Sequence, residues 1–214
     1  MSFNPQTFIE VALKNGVLKF GEFTLKSGRI SPYFFNAGLL ATGELLSVLA
    51  QGYADMLAKN ANTDDLVVFG AAYKGIPFVA STAQALWQSH QINAQWGYNR
   101  KEAKTHGEGG MLVGADLTGK KVWVIDDVMT AGTAIREVVA ILDSVGASVA
   151  GIIVALDRKE KGQGEKSAIQ ELGDELNVPV LALVSFDDIT HYVKNNGTDE
   201  QYNSMVQYRE QYGV

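Results

Sequence analysis

A short run in the middle of the chain combines carboxylates, hydroxyls and a glycine in an order that suits the binding of a sugar phosphate. Asp126 and Asp127 end an apolar stretch, and Thr130, Gly132 and Thr133 follow where a helix is predicted to begin. The first amides of a helix have no internal partner and lie at the positive end of the helix dipole, so this turn can hold a phosphate. The two carboxylates would repel a phosphate, and we therefore expect them to accept hydrogen bonds from sugar hydroxyls.

This run differs from the common nucleotide-binding loops. It lacks the lysine of the GxxxxGK[ST] loop and the glycine spacing of the GxGxxG turn, which excludes both motifs. A plainer alternative stays open, in which Asp126 and Asp127 form only a polar strand end and the threonines only cap a helix.

Basic residues concentrate in two further segments. The first is Ala71–Gly75, which follows an apolar run and contains Lys74. The second lies between Arg100 and Gly110, has little apolar content and is predicted to be a mobile loop. A solvent-exposed turn and a solvated charge run are the simpler interpretations of these segments. The basic residues of the second segment are Arg100, Lys101, Lys104 and His106.

Composition limits which classes of protein this chain can belong to. It has 214 residues, a hydrophobic fraction of 46% and a charged fraction of 20%, which predicts one globular domain spanning 1–214. The net charge of -6 argues against broad nucleic-acid binding. The absence of cysteine excludes disulfides and thiolate chemistry. No stretch approaches the roughly 18 apolar residues of a membrane helix and no signal peptide is evident, so a soluble cytoplasmic protein is expected.

The elements that must position these residues alternate between strand and helix. Such alternation predicts a mostly parallel sheet with helices on both faces and ligands at the carboxyl ends of the strands. Predicted helices are an opening helix from Pro5 to Gly16, Thr42 to Lys59, Gly75 to Gln88, Ala131 to Val145 and Lys166 to Leu176. Predicted strands are Gly21 to Leu25 and Ser31 to Asn36 as a hairpin, then Leu66 to Phe69, Ala94 to Tyr98, Lys121 to Ile125, Val149 to Leu156 and Val180 to Val184.

The run Val122–Ala134 resembles the phosphoribosyl pyrophosphate (PRPP) motif of the type I phosphoribosyltransferases. The resemblance implies that the threonine and glycine turn holds the 5'-phosphate and that the acidic pair holds the ribose hydroxyls. Met129 stands where relatives commonly carry an aliphatic residue, which we expect to be harmless. The PRPP-binding positions implied in this run are Asp126, Asp127, Val128, Met129, Thr130, Ala131, Gly132, Thr133 and Ala134.

Other segments are similar to the orotate phosphoribosyltransferases within that family. Ala71–Gly75 resembles the pyrophosphate loop, which often contains a non-proline cis peptide, and implies PRPP contacts for Tyr73 and Lys74. Arg100–Gly109 resembles the flexible catalytic loop, which reaches the neighbouring subunit of a dimer. The resemblance implies that Arg100, Lys101, Lys104 and His106 bind the leaving pyrophosphate, with Lys104, His106, Asp126 and Asp127 as the catalytic residues.

The amino-terminal segment Phe23–Asn36 resembles the hood, mainly within residues 1–40, that covers the base in these enzymes. The resemblance implies that Lys26 contacts both substrates and that Phe34, Phe35 and Thr130 border orotate. Strand alternation leaves open that one of the two phenylalanines belongs to the core. Arg158 follows a predicted strand, and its planar guanidinium suits the carboxylate of orotate. His191 is interpreted as a helix-face residue.

Taken together, the resemblance implies transfer of ribose 5-phosphate from PRPP to orotate in pyrimidine biosynthesis. It also implies Mg²⁺ held mainly through PRPP rather than by a direct protein site, a homodimer, and no dedicated general base. Two alternatives remain: a purine or uracil phosphoribosyltransferase, and a non-catalytic sensor of PRPP. The sensor fits less well, because the chain retains the loop and has no length for a nucleic-acid-binding module.

Overall fold

A computed structural model describes residues 2–25, 27–104, 110–129, 132–162 and 164–214, and for Ala103 and Lys104 the backbone only. Its six-stranded central sheet has the order β5-β4-β3-β6-β7-β8, and only β5 runs antiparallel to its neighbour. The predicted mostly parallel α/β architecture is therefore confirmed. The helices are α1 Pro5–Lys14, α2 Gly43–Asn60, α3 Gly75–His90, α4 Thr133–Ser144, α5 Ala168–Leu176, α6 Phe186–Asn196 and α7 Asp199–Tyr212. The strands are β1 Leu18–Thr24, β2 Ile30–Phe35, β3 Val67–Gly70, β4 Gln95–Lys104, β5 Gly110–Gly114, β6 Lys121–Val128, β7 Ser148–Asp157 and β8 Val180–Ser185.

The central strands are nearly continuous apolar runs because helices cover both faces of the sheet. Val122 to Ile125 in β6 and Ile152 to Leu156 in β7 are all buried. Strands of this composition belong at the centre of a parallel sheet, where neither face meets water. These buried strands fix the position, along the strand direction, of the polar residues that follow each of them.

Helix starts fall into two groups. Side chains of Asn4, Thr42, Ser167, Ser185 and Thr198 accept hydrogen bonds from the first amides of α1, α2, α5, α6 and α7. Among the described residues, no side chain caps α3 or α4 in this way. The first two amides of α3 donate instead to the backbone carbonyls of Ala71 and Tyr73, which leaves the start of α4 as the one suited to an incoming acceptor.

The hood is the antiparallel hairpin formed by β1 and β2, as predicted from its polar turn. α1 lies against β1, and α7 lies against β2. Phe8 of α1 contacts the Phe35 ring at a centroid distance of 6.3 Å. The hairpin is thus held from both sides by helices from the two ends of the sequence.

Three regions differ from the sequence prediction. Strand β4 extends to Lys104, so part of the predicted loop 100–110 is strand, and β5 pairs with it where no strand was predicted. Helices α6 and α7 were not delimited from the sequence; His191 does lie in α6. The polar residues at the end of β4 obscured the strand pattern. The register with β5 shifts between Asn99, which pairs with Leu112, and Lys104, which pairs with Gly110.

In the part of the chain that the structure describes, none of the helices combines the length and the apolar character that a membrane crossing requires.

Candidate active site

The polar residues named above meet at one edge of the sheet because parallel strands end together. Gly70 pairs with Ile125 across β3 and β6, and Val128 pairs with Leu156 across β6 and β7. The segments that follow β3, β6 and β7 therefore lie side by side. This brings Lys74, Asp126, Asp127 and Arg158 to one edge of the sheet, where the ligand-binding crevice of open α/β sheets lies.

An ion pair joins the first basic segment to the acidic pair. The Lys74 ammonium lies 2.6 Å from Oδ2 of Asp127. The lysine side chain is 57% exposed whereas the aspartate side chain is 12% exposed. Lys74 is therefore a cation at the mouth of the crevice that can move from the carboxylate to an incoming anion.

Asp126 lies deeper and has an unusual protonation equilibrium. Burial raises the pKa of Asp126 to about 6, and the negative charge of Asp127 adds to the rise. Its carboxylate accepts a hydrogen bond from the backbone N–H of Asp127 at 2.9 Å. The Tyr53 hydroxyl, on α2, donates to the backbone carbonyl of Asp126 at 2.7 Å, which fixes the end of β6. A carboxylate with few protein partners is ready to accept from sugar hydroxyls.

The loop between β3 and α3 is shaped by close backbone approach. A Cβ atom at Gly70 or at Gly75 would overlap the backbone of the other glycine. The Ala72–Tyr73 peptide bond is cis. Buried Asn99 accepts the Ala72 N–H at 3.1 Å and donates to the carbonyl of Arg100 at 3.2 Å. Tyr73 is 72% exposed.

Asn99 is a site residue that sequence reasoning missed. It connects the β3–α3 loop to the strand that carries the basic segment. Its only sequence signal is a polar residue in β4 immediately before Arg100. The partner residue is 27 positions away, so local pattern could not reveal the contact.

The turn before α4 is described only in part. Gly132 has a φ of 71°, in the left-handed region that favours glycine, and Thr133 and Ala134 are exposed at the helix start. Met129 is buried in the core and Val128 is half-buried. Thr130 and Ala131 lie outside the described residues.

The basic segment begins on β4. Nη1 of Arg100 donates to the carbonyl of Gly110 across the β4–β5 pair at 3.0 Å, and Lys101 is exposed. Lys104 ends β4, and its side chain lies outside what the structure describes. His106 lies outside the described residues, as does Lys26 in the hood turn.

The two hood phenylalanines differ in environment. Phe34 is 39% exposed and stacks on Phe23 at a centroid distance of 5.5 Å. Phe35 is half-buried and packs against the core. Strand alternation accounts for this difference, since successive side chains of β2 point to opposite faces.

Arg158 is buried at the junction of sheet and hood. Its Nε lies 2.7 Å from Oε1 of Glu160, and its Nη2 lies 3.0 Å from the hydroxyl of Ser31 in β2. The guanidinium carbon lies 4.4 Å from the centre of the Tyr33 ring. The positive group is thus placed at the strand end by contacts with both the loop and the hood.

Comparison with known proteins extends this geometry to a family. Residues 41–179 match the family model described as the phosphoribosyl transferase domain. An orotate phosphoribosyltransferase from Acinetobacter baumannii (strain ACICU) is 64% identical over 214 residues, which cover 100% of this chain and 98% of the relative. The chain belongs to the orotate phosphoribosyltransferase family. Another orotate phosphoribosyltransferase, from Saccharophagus degradans, is 53% identical, and the match covers 100% of both chains.

Solved structures of the orotate phosphoribosyltransferase family share the fold. The crystal structure of the Francisella tularensis orotate phosphoribosyltransferase superimposes with a TM-score of 0.87 at 47% identity, covering 97% of this chain and 100% of that one. The type I phosphoribosyltransferase fold with a small amino-terminal hairpin is therefore confirmed. The hood and helices α6 and α7 lie outside the residues matched by the general family model, 41–179.

Proposed function

We propose that this chain transfers the ribose 5-phosphate group of PRPP to orotate, yielding orotidine 5'-monophosphate and pyrophosphate in pyrimidine biosynthesis. Membership in the orotate phosphoribosyltransferase family supports this activity along the full length of the chain. The observation that carries the proposal is the contact of Lys74 with Asp127 at the strand edge that also holds Arg158. One crevice thus offers a cation for diphosphate, carboxylates for ribose and an arginine for an acidic base.

The reaction is a displacement at the anomeric carbon. The bond between C1' and the pyrophosphate oxygen breaks with its electron pair leaving on pyrophosphate, while a nitrogen of deprotonated orotate forms the new C1'–N bond. The centre becomes positively charged on the way, so the protein contributes mostly orientation and electrostatic stabilisation. No covalent nucleophile and no dedicated general base are required.

The leaving group is neutralised by the basic segments. Lys74 leaves its ion pair with Asp127 and binds the diphosphate, since the oxygens of the carboxylate and of the diphosphate compete for one exposed ammonium. Tyr73 and the amides of the β3–α3 loop border the same group. Arg100, Lys101, Lys104 and His106 complete the neutralisation when the catalytic loop closes, and closure also excludes water from the reactive centre.

The ribose and its phosphate lie on β6 and α4. Asp126 and Asp127 accept hydrogen bonds from the ribose hydroxyls, and their negative charge favours the positive sugar of the transition state. The uncapped start of α4, with Gly132, Thr133 and Ala134, receives the 5'-phosphate. Val128, Met129, Thr130 and Ala131 complete this binding run.

The base binds between hood and sheet edge. Arg158 pairs with the orotate carboxylate, a group that purines and uracil lack. Phe34 stacks against the base, and Phe35, Lys26 and Thr130 border it. This division of roles makes the carboxylate the feature by which orotate is selected.

Mg²⁺ fits this site as a companion of the substrate. Among the described residues there is no group of three or more His, Cys, Asp or Glu side chains placed to hold a metal, but Asp126 and Asp127 are carboxylates next to the ribose position. A hard cation that arrives with PRPP would keep several bound waters, and Asp126 and Asp127 could accept hydrogen bonds from these waters. When bound, it would neutralise charge growing on the diphosphate.

The remaining expectations concern assembly and location. A homodimer is proposed in which the loop 100–110 of each subunit serves the site of the other. The chain is proposed to act as a single domain, in the cytoplasm, without nucleic acid or membrane partners.

Incubation of the purified protein with orotate, PRPP and Mg²⁺ tests the proposal directly. The ultraviolet absorbance of orotate should fall as the nucleotide forms, while hypoxanthine, adenine and uracil remain unchanged under the same conditions. Conversion of uracil or a purine in preference to orotate would establish the alternative transferase. Binding of PRPP without conversion of any base would establish the sensor.

A further inference from the structure

The guanidinium of Arg158 is held along one edge. Its Nε and Nη2 both lie 2.7 Å from Oε1 of Glu160, and Nη2 also lies 3.0 Å from the Ser31 hydroxyl. None of these contacts involves Nη1. The Tyr33 ring covers one face of the guanidinium at 4.4 Å. The side chain of Arg158 is only 10% exposed, so few other orientations are open to it.

Glu160 is in turn held by residues from opposite ends of the chain. The Tyr208 hydroxyl, on α7, donates to Oε1 of Glu160 at 2.8 Å. Nη1 of Arg29, in the hood turn, lies 3.4 Å from Oε2. Burial and the neighbouring Glu160 carboxylate raise the pKa of Tyr208 to about 12, so the hydroxyl stays protonated and can donate. The carboxylate therefore has a fixed position between two arginines and a tyrosine.

The backbone after Arg158 is fixed by the last residues of the structure. The N–H of Lys161 donates to the carbonyl of Tyr212 at 2.8 Å, and the N–H of Val214 donates to the carbonyl of Lys159 at 3.0 Å. Glu160 and Gly213 form an antiparallel bridge. The segment that carries Glu160 is thus attached to the end of α7 on both sides.

We propose that Glu160 and Tyr208 are positioning residues for base selection: they hold the Nε and Nη2 edge of Arg158 so that its Nη1 side is presented to the carboxylate of the substrate base. The inference rests on the proposed function, because it assigns Arg158 to that carboxylate. Glu160 is the shared ion-pair partner of two arginines, Arg29 and Arg158. α7 thereby becomes part of the specificity apparatus although it does not contact the base.

Steady-state kinetics of the full chain separates positioning from charge. Tyr208→Phe keeps the ring and the net charge, and should raise KM for orotate about threefold or more, because the hydrogen bond of the hydroxyl to Glu160 and its contact with Arg158 are lost. Glu160→Ala should raise KM for orotate about tenfold or more, because the whole clamp is lost, that is, the contacts of Glu160 with Arg158, Arg29 and Tyr208. Glu160→Gln retains an acceptor oxygen at the same place and should recover most of the affinity. In all three variants KM for PRPP should stay within about twofold of the original, since PRPP is bound by other elements.

Glu44→Gln is the matched control, because it removes another Glu ion pair, with Lys14 at 3.1 Å, on the exposed surface between α1 and α2. It should leave both KM values unchanged. Thermal unfolding of each variant identifies any loss of folded protein, which lowers the apparent kcat without changing either KM. If Glu160→Ala does not fold, Tyr208→Phe alone decides, because it leaves the carboxylate in place.

Several outcomes would overturn the proposal. Unchanged or lower KM for orotate in both Tyr208→Phe and Glu160→Ala would mean that the clamp is idle or competes with the substrate. Equal effects of Glu160→Ala and Glu160→Gln would reduce the role of Glu160 to charge. A parallel rise of KM for orotate and PRPP would make it structural. Wild-type protein that leaves orotate unconverted would refute the proposed function as well, whereas conversion by wild type with unaffected variants refutes the positioning role alone.

Discussion

At the scale of single residues, Asp126 carries a conflict between stability and function. Its pKa of about 6 lies above its usual value because of burial and the charge of Asp127. A group whose pKa is raised by folding contributes stability at low pH and loses that contribution as the pH rises through the folded-state value. Above about pH 6 the folded protein therefore bears the cost of an ionised buried carboxylate.

Replacing this carboxylate should stabilise the protein while removing its activity. Asp126→Asn keeps an acceptor for the Asp127 amide but cannot ionise, so it should raise the free energy of unfolding by about 2 kcal/mol at pH 8. The corresponding rise in Tm is about 5 °C at pH 8 and should vanish by about pH 4. Thermal unfolding monitored by circular dichroism across this range gives the measurement. A stability gain that is independent of pH would contradict the ionisation argument.

Asn99 has a positioning role that can be measured separately. Asn99→Ala leaves the buried Ala72 amide without its acceptor, which should cost about 1 to 3 kcal/mol. The β3–α3 loop loosens as a result, so KM for PRPP should rise while KM for orotate changes little. Asn62→Ala is the matched control, because Asn62 accepts a backbone amide, that of Asp64 at 3.2 Å, on the exposed surface. Equal behaviour of the two variants would remove Asn99 from the site.

At the scale of elements, the order of strands and helices was predictable from sequence where burial is simple. Strands β3, β6, β7 and β8 are short apolar runs. The starts of α1 and α2 are marked in the sequence by the capping residues Asn4 and Thr42. Strand β5 was missed because it is a five-residue edge strand bounded by glycines, and the end of β4 was missed because its side chains are polar or charged. A hydrophobic pattern in the sequence reflects the burial of side chains. It does not reveal a strand that is held by backbone pairing.

The site divides in the same way. The acidic pair, Lys74 and Arg158 follow apolar runs, so their strand ends could be predicted together with the edge they share. Asn99, Glu160 and Tyr208 act through partners 27 and 48 positions away and through Arg158, and each is a common polar residue on its own. Only the packing of α7 and the hood against the sheet edge gives them a role.

The junction of β3 and α3 requires glycine at both of its ends. Gly75→Ala would push a methyl group into the backbone of Gly70, which should cost about 1 to 3 kcal/mol and raise KM for PRPP as the loop shifts. Gly43→Ala, at the start of α2, meets nothing within 4 Å and should be neutral or slightly stabilising. Denaturant unfolding and PRPP kinetics of both variants test the point. An active Gly75→Ala protein with unchanged KM would show that the close approach is dispensable.

At the scale of the whole molecule, the proposed dimer makes each site a joint product of two chains. Lys104→Ala disables the loop, and Asp127→Asn disables the crevice, so each homodimer should be nearly inactive. In a mixed dimer with loops acting on the neighbour, one site carries both defects and the other carries none.

Random mixing of equal amounts of the two variants should therefore restore about a quarter of the wild-type activity. Loops that serve their own subunit would restore nothing, because every site would then carry one defect. Each variant assayed alone gives the baseline. Wild-type turnover by Lys104→Ala or by His106→Ala alone would remove the loop from the mechanism altogether.

The start of α4, which no side chain of the described residues caps, also has a practical consequence for work with this protein. A small tetrahedral dianion can bind at such a helix start, so phosphate and sulfate in an assay buffer should compete with PRPP. Kinetic constants measured in such buffers would describe displacement of the buffer ion, whereas an amine buffer would report the intrinsic affinity.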